Sequence, residues 1–219
     1  MDQTAKPKKR EWNREKTTRD ILDSARVEFV EYGLEAARMD RVAKRAGANK
    51  RLIYEYVGSK TELYTAVLLE AYQDIRAAER KLDLGALPPY DAMAKLVGFT
   101  FDHFHANPWF LRLLATENIQ RARFVAEMPE LKEMNSPIIG QIRHVLAEGE
   151  AAGVFRGGVD PVQMYITIAG LSYFFFSNIH TLSVVFDASL NSEVGLAERR
   201  AHAVDVAMSY LSFKTVARK

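Results

Sequence analysis

The sequence predicts an all-α protein in two parts: an N-terminal three-helix module and a larger helical body. Three observations predict it. Apolar residues recur three and four positions apart along most of the 219 residues, the period of a helix that buries one face. No segment sustains the alternation of a half-buried strand. Glycines and prolines mostly fall between the periodic stretches, as turns require.

In order, residues 1–15 carry Pro7, one Trp and many charges, and read as a disordered basic tail. Thr17 or Thr18 can cap a first helix through Ile21, Leu22, Ala25, Phe29 and Val30, with Gly33 as its C-terminal cap. Met39, Val42, Ala43 and Ala46 make a second, short amphipathic stretch that Gly47 stops. Asn49 caps a third over 49–56, and Ser59 caps a long fourth over 60–82. Short helices joined by glycine turns, then a long one, are the order of a helix-turn-helix module. That module is assigned to 16–62 and the body to 63–219. Beyond the break at Leu84-Gly85 to Pro88-Pro89, helical patterns run over 90–106, 108–122, 130–152, 160–187 and 193–213. Pro137 either sits inside a helix or splits it.

Composition narrows the function. At 48% apolar and 26% charged residues this is an ordinary globular chain. It has no cysteine, which excludes disulfides, cysteine zinc sites and a cysteine nucleophile. The opening MDQTAKPKKREW lacks the apolar segment of a secretory signal, so a cytoplasmic location is expected. The net charge is +2, but residues 1–60 hold 15 Lys and Arg against 10 Asp and Glu, while the rest is mildly acidic. A basic end on an acidic body suits a polyanionic partner.

The stretch GANKRLIYEYVGSKTEL, Gly47 to Leu63, sharpens this reading. Lys50 and Arg51 stand in the first turn of a helix, where the dipole favours anions instead. A phosphate or a guanine as partner resolves that misfit. Leu52 suits a thymine methyl. Tyr54, Tyr56 and Lys60 are donors spaced to follow a phosphate backbone.

Residues 21–68 resemble the DNA-binding domain of the TetR (tetracycline-repressor-like) transcriptional regulators. The matching positions are Ile21-Leu22, Ala25, Phe29, Gly33, Val42-Ala43, Ala46-Gly47, Lys50, Tyr54, Tyr56, Ser59-Lys60 and Leu63-Tyr64. The resemblance implies that the third helix reads an operator and that Tyr54, Tyr56 and Lys60 touch phosphate. The chain departs from the family pattern at Arg38, where Thr or Ser is usual and where an arginine can reach phosphate itself. It departs also at Ala48-Asn49, Val57-Gly58 and Arg51, the last of which should alter base preference. The expected DNA-binding set is Arg38, Asn49, Lys50, Arg51, Leu52, Tyr54, Tyr56 and Lys60.

Two features belong to the body. The run from Val162 to Phe186 has no Asp, Glu, Lys or Arg over 25 residues, long enough to span a bilayer. Polar residues from Gln163 to Ser183 are spread through it, and no second span accompanies it, so a buried helix is expected and no membrane partner. The resemblance implies that the last two helices form a homodimer interface. Aromatic and polar residues cluster near Asn107-Pro108. Phe101, His103, Phe104 and Trp109, with Tyr165, Tyr173, Phe174 and Asn178, are expected to line an apolar pocket for a small, partly apolar effector. His103 and His105 are two apart and diverge on a helix, so no metal site, and no cofactor, is expected. No catalytic motif is present, and the chain is read as not an enzyme. Two alternatives stand beside a ligand-released repressor: an architectural DNA-binding protein without effector, and a helical enzyme using His103 or Glu117.

Overall fold

The computed structural model describes residues 14–212. Its helices are α1 (Arg14–Ala36), α2 (Met39–Ala46), α3 (Lys50–Tyr56), α4 (Lys60–Arg80), α5 (Pro89–Ala106), α6 (Pro108–Ile119), α7 (Arg123–Ala126), α8 (Pro129–Ala151), α9 (Pro161–Val185) and α10 (Glu193–Ser212), with a 3-10 turn at Leu84–Ala86. Among the described residues all regular structure is helical, as expected. The basic tail lies outside the described residues up to residue 13, and Arg14 and Glu15 already belong to α1.

The chain divides into two compact units, Met1–Leu69 and Glu70–Lys219. This division falls inside α4, whose first turns are buried. Leu63, Tyr64, Val67 and Leu68 are all enclosed, and Tyr64 meets Phe29 of α1 edge-on at 5.1 Å. Ile21, Ala25, Val42, Ala43 and Ile53 belong to the same unit's core. Burying one such aliphatic side chain stabilises by about 1.5–3 kcal/mol.

Neither threonine caps α1. Thr18 Oγ1 donates instead to the Arg14 carbonyl one turn back (2.9 Å), and Thr17 is buried. At Gly33 the backbone leaves the helix (φ 69°, ψ 175°), a conformation that a Cβ disfavours, and a further turn runs to Ala36. The start of α4 is a capping box: the Glu62 N–H points at Ser59 Oγ (3.3 Å) and the Ser59 N–H donates to Glu62 Oε2 (2.7 Å).

In the second unit α5 packs against α8, α9 and α10. Leu96 and Val97 of α5, Ile142 of α8, Met164 and Ile168 of α9, and Ala203, Ala207 and Met208 of α10 share one buried cluster. Pro137 lies inside α8 and does not split it. The pattern expected over 108–122 stops at Ile119, since Arg121 and Ala122 take positive φ (57° and 56°) before the single turn of α7.

Candidate nucleic-acid interface and internal cavity

Helix α2 ends at Gly47 in the left-handed region (φ 60°, ψ 23°), and the Ala48 N–H closes back on the Ala43 carbonyl at 3.0 Å. Extended Asn49 (φ −87°, ψ 155°) then caps α3, its side chain accepting from the Leu52 N–H at 2.9 Å. Of α3, Ile53 alone is buried. That residue anchors the helix, so Lys50, Arg51 and Tyr54 face outward while Leu52 and Tyr56 are half-buried. With only one isoleucine buried, most of the donor surface of these seven residues stays open.

What fixes α2 beside α1 is a carboxylate. Glu28 is fully enclosed. Its Oε1 accepts from the Arg38 backbone N–H (2.8 Å) and from Arg41 Nε (2.7 Å), and Arg45 Nη1 approaches Oε2 at 3.5 Å. Burial pushes the Glu28 carboxyl up, but the hydrogen bonds from Arg41 and Arg38 and the charges of Arg41 and Arg45 hold it below the usual 4.5.

The remaining interface residues are not idle. Asp40, in the first turn of α2, takes Arg38 Nη2 at 2.6 Å and Lys50 Nζ at 3.4 Å, so one exposed carboxylate links cations of two elements. The Arg38 hydrogen bond, with the Asp40 backbone N–H, holds that carboxyl low. Lys60 Nζ donates to the carbonyls of Glu35 (3.1 Å), in the last turn of α1, and of Ala37 (3.3 Å), just beyond it. Tyr56 has the Arg14 guanidinium 5.0 Å from its ring centroid. The expected set thus gathers around α3, with Lys60 tied to α1. Glu28 and Asp40 were not foreseen, since only tertiary proximity marks them out.

The second unit contains a cavity of about 530 Å³. Helix α4 lines it with Tyr72, Ile75 and Arg76, α5 with Phe104, α6 with Phe110, Leu114 and Asn118, α8 with Asn135, Ile138 and Ile139, and α9 with residues from Val162 to Tyr173. Burial pushes the Tyr72 hydroxyl up to about 12. Of the expected pocket residues, Phe104, Tyr165 and Tyr173 line the cavity. The others do not. Phe101 stacks on Phe175 (5.9 Å) in a separate apolar cluster with Ile179. Phe174 is 60% exposed on the outer side of α9, and Asn178 donates to the Phe174 carbonyl. Trp109 Nε1 donates to Asn107 Oδ1 (3.1 Å). His103 stands behind the wall, between Phe99 (5.6 Å) and Phe110 (6.3 Å), while His105 stacks on Phe176. Burial, then the nearby charge of Arg76, pushes the His103 imidazole below its usual 6.5. Glu117 is buried and accepts from the Val125 N–H (3.2 Å), which holds the turn of α7. These misplacements share a cause: the aromatics were grouped by sequence distance from Pro108, whereas helix phase decides which of them face the cavity.

A short turn between α2 and an outward-facing, basic α3 makes this a helix-turn-helix protein of the DNA-binding, transcription-regulating kind. Residues 21–67 match the family described as bacterial regulatory proteins, tetR family, and residues 89–207 match the tetracyclin repressor-like C-terminal domain. The HTH-type transcriptional repressor NicS of Pseudomonas putida is 32% identical over 206 residues, covering 94% of this chain and 97% of its own. The HTH-type transcriptional repressor SCO4008 of Streptomyces coelicolor is 31% identical over 158 residues, 71% of this chain and 76% of its own. The chain belongs to the TetR family of transcriptional regulators. The same fold is seen in the ketosteroid transcriptional regulator KstR2 of Mycobacterium tuberculosis (TM-score 0.67, 17% identity, 94% of this chain and 98% of that one).

Proposed function

We propose that this protein is a dimeric repressor, cytoplasmic, that leaves a palindromic operator when a small, partly apolar ligand fills the cavity of its body. The observation that carries the reading is the course of α4. Its first turns place Leu63 and Tyr64 in the core of the DNA-binding unit, and its later turns place Tyr72, Ile75 and Arg76 on the cavity wall. A ligand that favours one tilt of α4 changes the spacing of two recognition helices. The coupling equals the ligand's differential affinity for the two states, typically about 1–3 kcal/mol. In this reading Lys50, Arg51 and Leu52 read bases, while Arg38, Tyr54, Tyr56 and Lys60 meet the phosphates.

Homodimerisation is supported by α9. It is long and apolar enough to cross a membrane, yet one stripe of it, Met164, Ile168, Ser172, Phe175 and Ile179, is buried in its own unit. Outside the cavity lining, Phe174, Val184 and Val185 are left exposed on α9, and Val194 on α10. A second copy would cover these faces. Two-fold symmetry then sets half-sites about 34–36 Å apart or displaced along one face of the duplex.

Selection of DNA tests the proposal. Protein mixed with fragments of its own genome and excess competitor at about 150 mM salt, where non-specific binding is weak, should retain a few fragments that share a palindrome. Retention of nothing, or of all fragments alike, would remove the operator. Operator affinity that no cavity-binding molecule alters would remove the ligand and favour an architectural protein.

A further inference from the structure

The cavity has one kind of charge on its wall. Of the described residues lining it, Arg76 alone is charged, and it is 3% exposed. Nη2 of Arg76 donates to the Tyr165 hydroxyl at 2.6 Å. Nη1 lies 2.6 Å from Glu79 Oε2, but the pair is not aligned as a hydrogen bond, and Nε has no hydrogen-bond partner among the described residues. Glu79 itself does not reach the cavity. It lines a separate crevice with Arg76, Arg80, Met134 and Gln141. Arg76 thus borders both spaces, its counter-ion lines only the crevice, and its Nε is an enclosed donor left without an acceptor.

Buried donors without acceptors are costly, and a buried cation more so. A neutral apolar ligand would leave Nε as it is. A cationic ligand would meet like charge with no carboxylate among the described wall residues to offset it, and a doubly charged phosphate ester would find no second cation among them. A carboxylate carries one charge and two acceptors in a plane, the complement of a single guanidinium fork. The rest of the wall, with Phe104, Phe110, Ile138 and Ile139, suits a ring-bearing apolar body.

We infer that the ligand of this cavity is an apolar, ring-bearing carboxylic acid, bound as its anion with the carboxylate on Arg76. The inference rests on reading the cavity as the effector site. Three probes of one shape test it on the full chain by titration calorimetry near neutral pH: naphthalene-2-carboxylate, naphthalene-2-carboxamide and naphthalen-2-ylmethanamine as its cation. The carboxylate should bind roughly ten- to a hundredfold more tightly than the carboxamide, with the amine weakest. Arg76→Met should erase that preference while sparing the carboxamide. Since Arg76→Met leaves Glu79 buried without its cation, the double variant Arg76→Met, Glu79→Gln repeats the comparison with no buried charge. Equal affinity for carboxylate and carboxamide in the native protein, or a preference that survives both variants, overturns the inference and leaves the cavity a ligand site. Failure of all three probes to bind overturns both. A carboxylate held through Arg76 that does not release selected operator DNA supports the pairing and removes the effector role.

Discussion

Each unit of the protein buries a glutamate beside arginine, and the two are finished differently. In the DNA-binding unit Glu28 accepts from a backbone N–H and from two arginines whose far sides reach water. Its partners outweigh its burial and its carboxyl is held low. In the body Glu79 has one close partner, Arg76, itself enclosed and poorly aligned. There burial wins and pushes the Glu79 carboxyl up to about 7, against the charges of Arg76 and Arg80. In the reading proposed above, the difference separates a joint from a site. A satisfied hub can only hold two helices in register. A half-satisfied one has capacity left for another molecule, at a cost to the stability of the empty protein.

The largest effect should come from breaking the hub. Glu28→Ala removes the acceptor of the Arg38 N–H and two arginine partners, and should destabilise the protein by about 4 kcal/mol in urea denaturation. An effect under about 1 kcal/mol would place Glu28 on the surface in energetic terms. The two carboxylates should also give opposite slopes with pH. Glu28, with its folded value below 4.5, contributes stability that is present above 4.5 and is lost as pH falls through the folded value. Glu79, raised from 4.5 to about 7, binds a proton in the folded state that the unfolded chain has released, so stability falls as pH rises across that window. The second loss should amount to about 3 kcal/mol, and Glu79→Gln should flatten it. A native curve already flat from pH 4.5 to 7 would contradict the contrast.

Smaller effects should sharpen the same contrast on the binding face. Arg51→Ala should cost about 1–3 kcal/mol of operator affinity and relax the preferred sequence, whereas Tyr54→Phe should weaken all sequences alike by about 1 kcal/mol. Binding assays on the selected site and its single-base variants separate the two. Gly47→Ala puts a Cβ at φ 60° with nothing within 4 Å of it, so only backbone strain is felt. About 1 kcal/mol of stability should be lost, visible as a lowered urea midpoint with unchanged operator preference.

What the sequence made legible was local. Gly47, Asn49 and Ser59 with Glu62 each act within three or four residues, and their spacing is enough to place α3 and the start of α4. The charge-free run of α9 was legible because composition needs no phase. Arg76, Glu79 and Glu28 were not, because a charged residue inside a helical pattern looks solvated until its neighbours from other helices are known. Phe101 and Phe174 were assigned to the cavity for the opposite reason: aromatics look alike in sequence, and a rotation of one residue, 100° on a helix, sends one into a second core and another outward.

Asp40 is bound at once to Arg38 and Lys50, two of the cations proposed above to meet DNA. In that proposed reading, a like charge held toward the phosphates would make every arbitrary stretch of duplex a poor resting place. Both cations would have to be exchanged from Asp40 to the nucleic acid, and only a matching sequence would offer base contacts in addition to phosphate. Residence on random DNA would thereby be shortened. In a genome with roughly 10⁶–10⁹ competing positions, brief stops at wrong ones shorten the search for the right one.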